Sequence, residues 1–362
     1  MNQLITVNYE GKPAYDIWLE PDFNRLPEAV APMKLSNRKV MIITDNKVGK
    51  HYLEAVIDLL SSSSKSVEYI VFPAGEANKN LDTVSQCYDK LIQSGFDRND
   101  VLIALGGGVV GDLTGFVAAT YLRGIRFIQI PTSLLSMVDS SIGGKTGVDY
   151  KAFKNMVGAF HQPQLVYMNL STLITLPEAE YLSGMGEIIK HGLIRDADYY
   201  HWLKEQAIAV HNRDYEVLLE MVYRSCLIKK AVVEKDPKEQ GERALLNYGH
   251  TIGHSIEKLK ELTLLHGECV CIGMAAASYL SWKRGAIKEI DYQDILHTIR
   301  CFKQPITVTG LSAEKVYEVT RLDKKMDSDK IKFILLEKVG DAVIDTSVTK
   351  DEMLSAIQSV LE

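Results

Sequence analysis

Cysteine is scarce in this sequence of 362 residues: Cys87, Cys226, Cys269, Cys271 and Cys301 make an odd set of five with no CxxC pair. That excludes a disulfide framework and a thiolate zinc site, and it fits a reducing compartment. Positive charge is not in excess either. With 41 Lys and Arg against 47 Asp and Glu the formal charge is -6, so a general nucleic-acid surface, which needs a basic face to release counterions, is excluded. Long apolar runs are absent. The most apolar stretch, Cys269 to Leu280, is far short of the ~20 residues that span a bilayer. The N-terminal MNQLITVNYEGKPAYDIWLE alternates like strands and lacks the apolar core of a signal peptide. No membrane association and a cytoplasmic location are expected.

What is present, 46% apolar and 24% charged residues, suffices for one large globular domain or two. From Arg38 to about Asn169, short β-branched runs (KVMIITD, EYIVF, VLIALGGG, RFIQIPTS, LVYMNL) alternate with helical patterns, which implies crossover helices on a mainly parallel sheet. After Leu176-Pro177 the pattern turns helical to the C-terminus, with one strand candidate, KFILLE at 332–337. The expected fold is an α/β N-terminal domain (1–172) with a mainly parallel, Rossmann-like sheet, plus a mainly α-helical C-terminal domain (173–362).

After VLIAL comes Gly106-Gly107-Gly108-Val109-Val110-Gly111-Asp112, which satisfies GxGxxG and leads into the helical run DLTGFVAATYL. Glycines there let backbone approach a pyrophosphate at a helix N-terminus, although such turns also serve as tight packing corners. The acidic residue usual about 20 positions downstream is missing, since that region reads Arg123 to Ile130. Earlier strand ends offer substitutes: Asp45 in ITDNKVG, and Glu76 and Lys79 in PAGEANKN. An acid at such a position could hold ribose hydroxyls or simply cap a helix.

In LNYGHTIGHSIE, His250 and His254 stand four apart on one helical face with Glu257 three further on, and His266 opens HGE. Glu187, Lys190 and His191 share the helical stretch GMGEIIKHG. Imidazoles with one carboxylate suit a catalytic zinc site that keeps one position open. The spacing leaves open whether His250 or His254 is the ligand. Between the glycine loop and this segment, Arg123, Asp139, Lys145, Lys154 and Asn155 lie among Gly, Ser and Thr. Singly such cations are solvated, but together with Lys190, Lys229 and Arg243 they exceed what one metal site needs, and a polyanionic substrate explains the excess.

The motifs ALGGGVVGDLTGF, IPTSLLSMVDSSIGGKTGVD, KNMVGAFHQP, GMGEIIKHG and RALLNYGHTIGHSIE with HGE make the chain resemble the 3-dehydroquinate synthase family of sugar phosphate cyclases from about 40 to 275. Beyond that, LDKK (322–325) is the main point of contact. The resemblance implies one divalent metal ion, zinc with cobalt as a substitute, on Glu187, His250 and His266. It implies NAD on Asp45, Gly75, Glu76, Lys79, Gly107, Gly108, Val109, Val110, Gly111, Asp112, Thr132, Ser133, Lys145, Lys154 and the turn from Thr172 to Thr175. Substrate residues fall on Asp139, Lys145, Lys154, Asn155, Lys190, Lys229, Arg243, Asn247 and His254, with one of Lys324 and Lys325. Arg123 is expected to reach a phosphate across a homodimer interface. Ser133 stands where Thr is common in the family, and Tyr248 where Phe is common.

The family converts 3-deoxy-D-arabino-heptulosonate 7-phosphate to 3-dehydroquinate and phosphate, a step of the shikimate pathway to aromatic amino acids. By resemblance the sequence of events is transient oxidation by NAD, phosphate elimination, reduction, ring opening and an intramolecular aldol. The rivals are a metal-dependent polyol dehydrogenase, a cyclase acting on another sugar phosphate, and a non-catalytic subunit. Arg243 with Asn247 favours a carboxylated substrate.

Overall fold

The computed structural model describes residues 3–151, 153–261, 263–324 and 331–362. Two compact units, Met1–Leu176 and Pro177–Glu362, divide the chain four residues beyond the boundary expected from sequence.

The first unit opens with the antiparallel pair β1 (Gln3–Tyr9) and β2 (Lys12–Glu20), followed by the short helix α1 (Leu26–Val30). Strand–helix alternation then sets in: β3 (Lys39–Asp45), α2 (Asn46–Ser61), β4 (Ser66–Phe72), α3 (Leu81–Gln93), β5 (Val101–Gly106), α4 (Gly108–Thr120) and β6 (Arg126–Pro131). A hairpin of β7 (Lys145–Tyr150) and β8 (Phe153–Phe160) precedes β9 (Leu165–Asn169) and a single turn, α5 (Thr172–Thr175). The seven-stranded sheet runs β1-β2-β9-β6-β5-β3-β4 and is parallel except at β1–β2.

The central strands read as unbroken apolar runs because both faces of the sheet are covered. Val40 and Ile42 of β3 pack with Val56 and Leu60 of α2 on one face. Met41 and Ile43 pack with Val84 and Leu91 of α3 and Val110 and Leu113 of α4 on the other. Strand β4 lies on one side of β3 and β5 on the other, so the winding reverses between β3 and β5. In open α/β sheets that reversal leaves a crevice at the carboxyl ends of the strands, where ligands bind. Asp45 and Gly106 end the two strands concerned.

The second unit is mainly helical: α6 (Glu178–Arg195), α7 (Ala197–Glu205), α8 (Ala207–His211), α9 (Tyr215–Lys235), α10 (His250–Leu259), α11 (His266–Lys283), α12 (Glu289–Cys301) and α13 (Ala313–Lys324). The hairpin of β10 (Phe333–Lys338) and β11 (Asp341–Asp345) and the helix α14 (Lys350–Gln358) close it. The expected strand KFILLE appears as β10, and β11 joins it. Neither this second strand nor the β7–β8 hairpin is marked in the sequence pattern. Among the described residues no helix is long and apolar enough to cross a membrane.

Candidate active site

Glycines bring the chemistry of the second unit together. A Cβ at Gly273 of α11 would stand 1.8 Å from the carbonyl oxygen of Gly249, and one at Gly267 1.8 Å from that of Ser183. Helix α11 therefore lies backbone to backbone against the start of α10 on one flank and against α6 on the other. The Gly267 N–H donates to Ser183 Oγ at 3.0 Å and fixes the second crossing. Gly249 takes φ +80°, a left-handed turn that starts α10 at His250. His250 and His254 thereby face His266, the first residue of α11, and Glu187 of α6.

Glu187 is fully buried. Lys190, one turn on, donates to its Oε2. Its Oε1 makes no hydrogen bond and stands 3.5 Å from His250 Nε2 and 3.7 Å from His266 Nε2. Behind the rings, His250 Nδ1 is 3.1 Å from the Tyr248 carbonyl and His266 Nδ1 is 3.4 Å from Glu257 Oε2. A carbonyl only accepts, so His250 carries its proton on Nδ1 and turns the Nε2 lone pair toward Glu187.

The electrostatics agree with this orientation. Burial and the Lys190 ammonium hold His250 well below the usual histidine value, so its ring is neutral. Burial opposes charge on Glu187, but Lys190 and the two imidazoles outweigh it and keep the carboxyl well below its ordinary range. Burial likewise opposes charge on His266, yet the Glu187 and Glu257 carboxylates raise it to about 10. A buried anion flanked by imidazole nitrogens is thus balanced by a proton where a cation would serve.

The spacing fits a metal ion. Two ligands at ~2.0–2.1 Å from a tetrahedral zinc stand ~3.3 Å apart, close to the separations around Glu187 Oε1 and too long for hydrogen bonds. A second combination exists, because ligand atoms of His250, His254 and His266 all lie within 4.8 Å of one another. The tighter spacing belongs to the set that includes Glu187, and His254 is exposed. Helical periodicity puts His250 and His254 on one face; only the tertiary crossing brings Glu187 to them.

The same unit buries three cations, Lys190 at 1%, Arg243 at 2% and Lys229 at 5% exposure, and buried charge is costly unless it is paired, as Lys190 is with Glu187. Arg243 Nη1 donates to the Pro237 carbonyl at 2.7 Å, and its N–H donates to Asp236 Oδ2 at 3.0 Å. Asn247 Nδ2 donates to Glu239 Oε1 at 3.1 Å. Glu239, held at φ +57°, carries no mark in the sequence that would single it out. Lys325 lies outside the described residues, as does the side chain of Lys324.

In the first unit the glycine loop follows β5, the third strand of the parallel winding and not the first. This explains why the usual downstream acid is missing. Asp45 ends β3 and accepts from the Lys47 and Val48 N–H groups, so its carboxylate caps α2. Helix α4 begins at Gly108 with no side chain capping it, which leaves its N-terminal N–H groups to a ligand or solvent. Gly111 has a packing role, since a Cβ there would stand 2.6 Å from Gln129 Oε1. Val109 and Val110 lie in the first turn of α4, Val110 fully buried in the core.

Beside this loop, Lys79 donates to Asp112 Oδ2 and to Asn155 Oδ1, both at 2.6 Å, with Glu76 Oε1 at 4.0 Å and Gly75 just before it at φ +115°. Burial would lower Lys79, but Asp112 and Glu76 raise it above its ordinary value, so the ammonium persists. Asn155 sits at φ +53° with its N–H donating to Asp149 Oδ1 at 2.8 Å, which carries the β7–β8 hairpin into the cluster. The Thr132 N–H donates to the Gly106 carbonyl at 3.0 Å, and Ser133 Oγ is 2.9 Å from Ser136 Oγ. Asp139 lies in the π-helical turn Ser136–Ser140. The Tyr52 hydroxyl of α2 meets Thr175 Oγ1, while Thr172 Oγ1 donates to the Asn169 carbonyl at 2.8 Å. Lys145 and Lys154 are exposed on the hairpin. Arg123 is exposed within three consecutive left-handed residues, Leu122 at φ +50°, Arg123 at +67° and Gly124 at +117°.

Comparison with known proteins covers most of both units. Residues 69–183 match the family model for the 3-dehydroquinate synthase N-terminal region, and residues 184–326 match that for its C-terminal region. A 3-dehydroquinate synthase of Acetivibrio thermocellus is 42% identical over 353 residues, covering 98% of each chain. Among solved structures, a 2-epi-5-epi-valiolone synthase of Streptomyces hygroscopicus with NAD+ and Zn2+ bound is 29% identical, covering 98% of this chain and 99% of its own, with a TM-score of 0.88. A 2-deoxy-scyllo-inosose synthase, complexed with carbaglucose-6-phosphate, NAD+ and Co2+, shares the fold at a TM-score of 0.88 and 22% identity, covering 99% and 100%. With both family regions matched in order and a relative aligned almost end to end, the chain belongs to the 3-dehydroquinate synthase family.

Proposed function

We infer that this chain is a phosphate-eliminating carbon–oxygen lyase that converts 3-deoxy-D-arabino-heptulosonate 7-phosphate to 3-dehydroquinate and phosphate, using NAD without net consumption. The observation that carries the reading is the pairing of a metal-competent carboxylate–histidine cluster with three buried cations in one helical unit. A polyol dehydrogenase needs the first alone. The curated relatives, 42% identical to the chain, favour this substrate over that of the valiolone synthase at 29%.

Glu187, His250 and His266 hold a divalent ion, zinc or cobalt, in this reading. When bound, the metal supplies Lewis-acid polarisation of the substrate hydroxyl to be oxidised. NAD, when bound, supplies a hydride acceptor that is regenerated within the turnover. The open N-terminus of α4, with Gly107, Gly108 and the Lys79–Asp112 pair beside it, receives the dinucleotide, and Asp45 and the Thr172 to Thr175 turn flank it. Arg243 and Asn247 grip the substrate carboxylate, for which a planar guanidinium fork is apt. The family resemblance assigns the phosphate to Lys145, Asn155 and Arg123 and to His254, and the phosphate's own oxygens can take the proton during elimination. Asp139, Lys154, Lys190 and Lys229 orient the ring and meet its hydroxyls.

A homodimer is part of the proposal. It is supported by Arg123, held exposed in a strained left-handed segment, and by Tyr150, Phe153, Met156 and Phe160, left exposed on the β7–β8 hairpin. A cytoplasmic location is supported by cysteines that all remain thiols, four of them buried. A paired time course of phosphate and NADH on one reaction tests the function. Many equivalents of phosphate should appear per enzyme on substoichiometric NAD without free NADH accumulating; NADH rising in step with product would replace the cyclase by a dehydrogenase.

A further inference from the structure

We propose that Glu257 is a positioning residue of the metal centre, its carboxylate fixing the tautomer and orientation of His266 so that Nε2 points at Glu187. The inference rests on the reading of Glu187, His250 and His266 as metal ligands. Glu257 lies on α10, seven residues after His250 and therefore on the same helical face, and it is 6% exposed. Its Oε2 faces His266 Nδ1 at 3.4 Å, while the other ring nitrogen of His266 stands 3.7 Å from Glu187 Oε1. The imidazole is thus bracketed by two buried carboxylates, one on each nitrogen. If an ion sits between Glu187 and Nε2, Nδ1 must carry the proton, and the group facing it must accept. A carboxylate there accepts, and its charge also makes Nε2 the stronger donor to a metal.

The two histidines differ in this respect. His250 is oriented by a neutral acceptor, the Tyr248 carbonyl at 3.1 Å, which no side-chain substitution removes. His266 depends on a side chain. It is the first residue of α11, where the chain enters the helix and no preceding turn fixes the ring. A rival role for Glu257 is purely structural, an anion beside the positive end of α11. The two roles separate experimentally, because the structural one changes stability and leaves metal affinity alone.

The full-length protein is stripped of metal, and Co2+ is titrated back against a competing chelator, with the dissociation constant and the cobalt ligand-field absorption recorded for the parent, Glu257→Gln, Glu257→Ala and His266→Ala. The alanine variant should bind cobalt ~10–100-fold more weakly with a shifted absorption. The glutamine variant keeps an acceptor without the charge, so it should recover the parental spectrum and weaken binding only several-fold. Parental affinity and spectrum in Glu257→Gln and Glu257→Ala, with His266→Ala losing the metal, would overturn the role of Glu257 and leave the metal site standing. Parental affinity in His266→Ala would remove the metal assignment itself. If the alanine variant does not fold, the glutamine variant decides, since unchanged affinity there contradicts the inference.

Discussion

The hydroxyls of Tyr248 and Ser278 stand 2.5 Å apart in the buried seam between the turn before α10 and α11, and the carbonyl of the same Tyr248 is the acceptor that faces His250 Nδ1. The Tyr248 hydroxyl is thereby matched by one on the opposing helix. Tyr248→Phe leaves Ser278 without this partner and should cost about 1 kcal/mol, as should Ser278→Ala. The double variant should be less destabilised than the sum, because neither hydroxyl is left behind. Metal content should stay at the parental level in Tyr248→Phe, since the carbonyl remains. Denaturant melts with elemental analysis read both quantities; strict additivity would mean the pair does not interact.

Arg243→Lys probes the proposed carboxylate grip. The guanidinium is buried and its Nη1 donates to the Pro237 carbonyl, which holds a planar fork that a lysine ammonium cannot reproduce. Substrate affinity should fall by roughly 10-fold or more, the loss of one charge-assisted hydrogen bond of ~1.5–3 kcal/mol, while NAD affinity changes little. Calorimetric titration of each ligand checks this. Loss of NAD binding with substrate binding intact would move Arg243 out of the substrate site.

The sequence makes some of these features legible and hides others for physical reasons. Strands β3, β5 and β6 can be read because burial on both faces forces continuous β-branched runs. The β7–β8 hairpin cannot, because β8 is mostly exposed and Gly147, Gly158, Lys145, Lys151 and Lys154 interrupt the segment, so neither apolar alternation nor a continuous run marks it. His250 and His254 are legible as a helical pair, since four residues make one turn. Glu187 is 63 positions before His250, and no local pattern shows that α6 meets α10 and α11; motif resemblance has to supply it. The neighbours that orient the rings, the Tyr248 carbonyl and Glu257, depend on backbone path and helix crossing, which sequence spacing does not fix.

Arg284 clamps the end of the chain, and its effect should depend on pH. It donates to both oxygens of Glu352 on α14 at 2.8 Å and to Asp345 Oδ2 on β11 at 2.8 Å. The hydrogen bonds from Arg284, then those from Thr349, hold the Glu352 carboxyl down at about 2 against an ordinary 4.5. A carboxyl depressed in the folded state stabilises the protein above its unfolded value and loses that contribution as pH falls through the folded one. Glu352 is a third exposed, so solvent screening leaves about 1 kcal/mol. Arg284→Gln should therefore be less stable than the parent at pH 7, and the gap should narrow as pH falls from about 4.5 toward 2. Urea melts across that range check the sign; a gap that widens on acidification would contradict it.

Gly273 offers the sharpest test of how the fold builds the metal site. A methyl group there would stand 1.8 Å from the Gly249 carbonyl oxygen, 2.7 Å from its carbon and 2.9 Å from the Gly253 nitrogen, all backbone atoms that cannot rotate aside. Gly273→Ala must push α10 off α11. Because His250 rides on one helix and His266 on the other, their separations from Glu187 should grow beyond what one ion can bridge. The expected result is a destabilisation of about 3 kcal/mol, at the upper end for overpacking, together with loss of bound metal even where the variant folds. Gly285→Ala is the control. It stands at φ +76° with nothing within 4 Å of the methyl it would gain, so it should cost about 1 kcal/mol through backbone strain and keep its metal. Equal metal content in folded Gly273→Ala and Gly285→Ala would show that the α10–α11 approach does not set the ligand geometry, and the origin of the site would have to be sought in α6 alone.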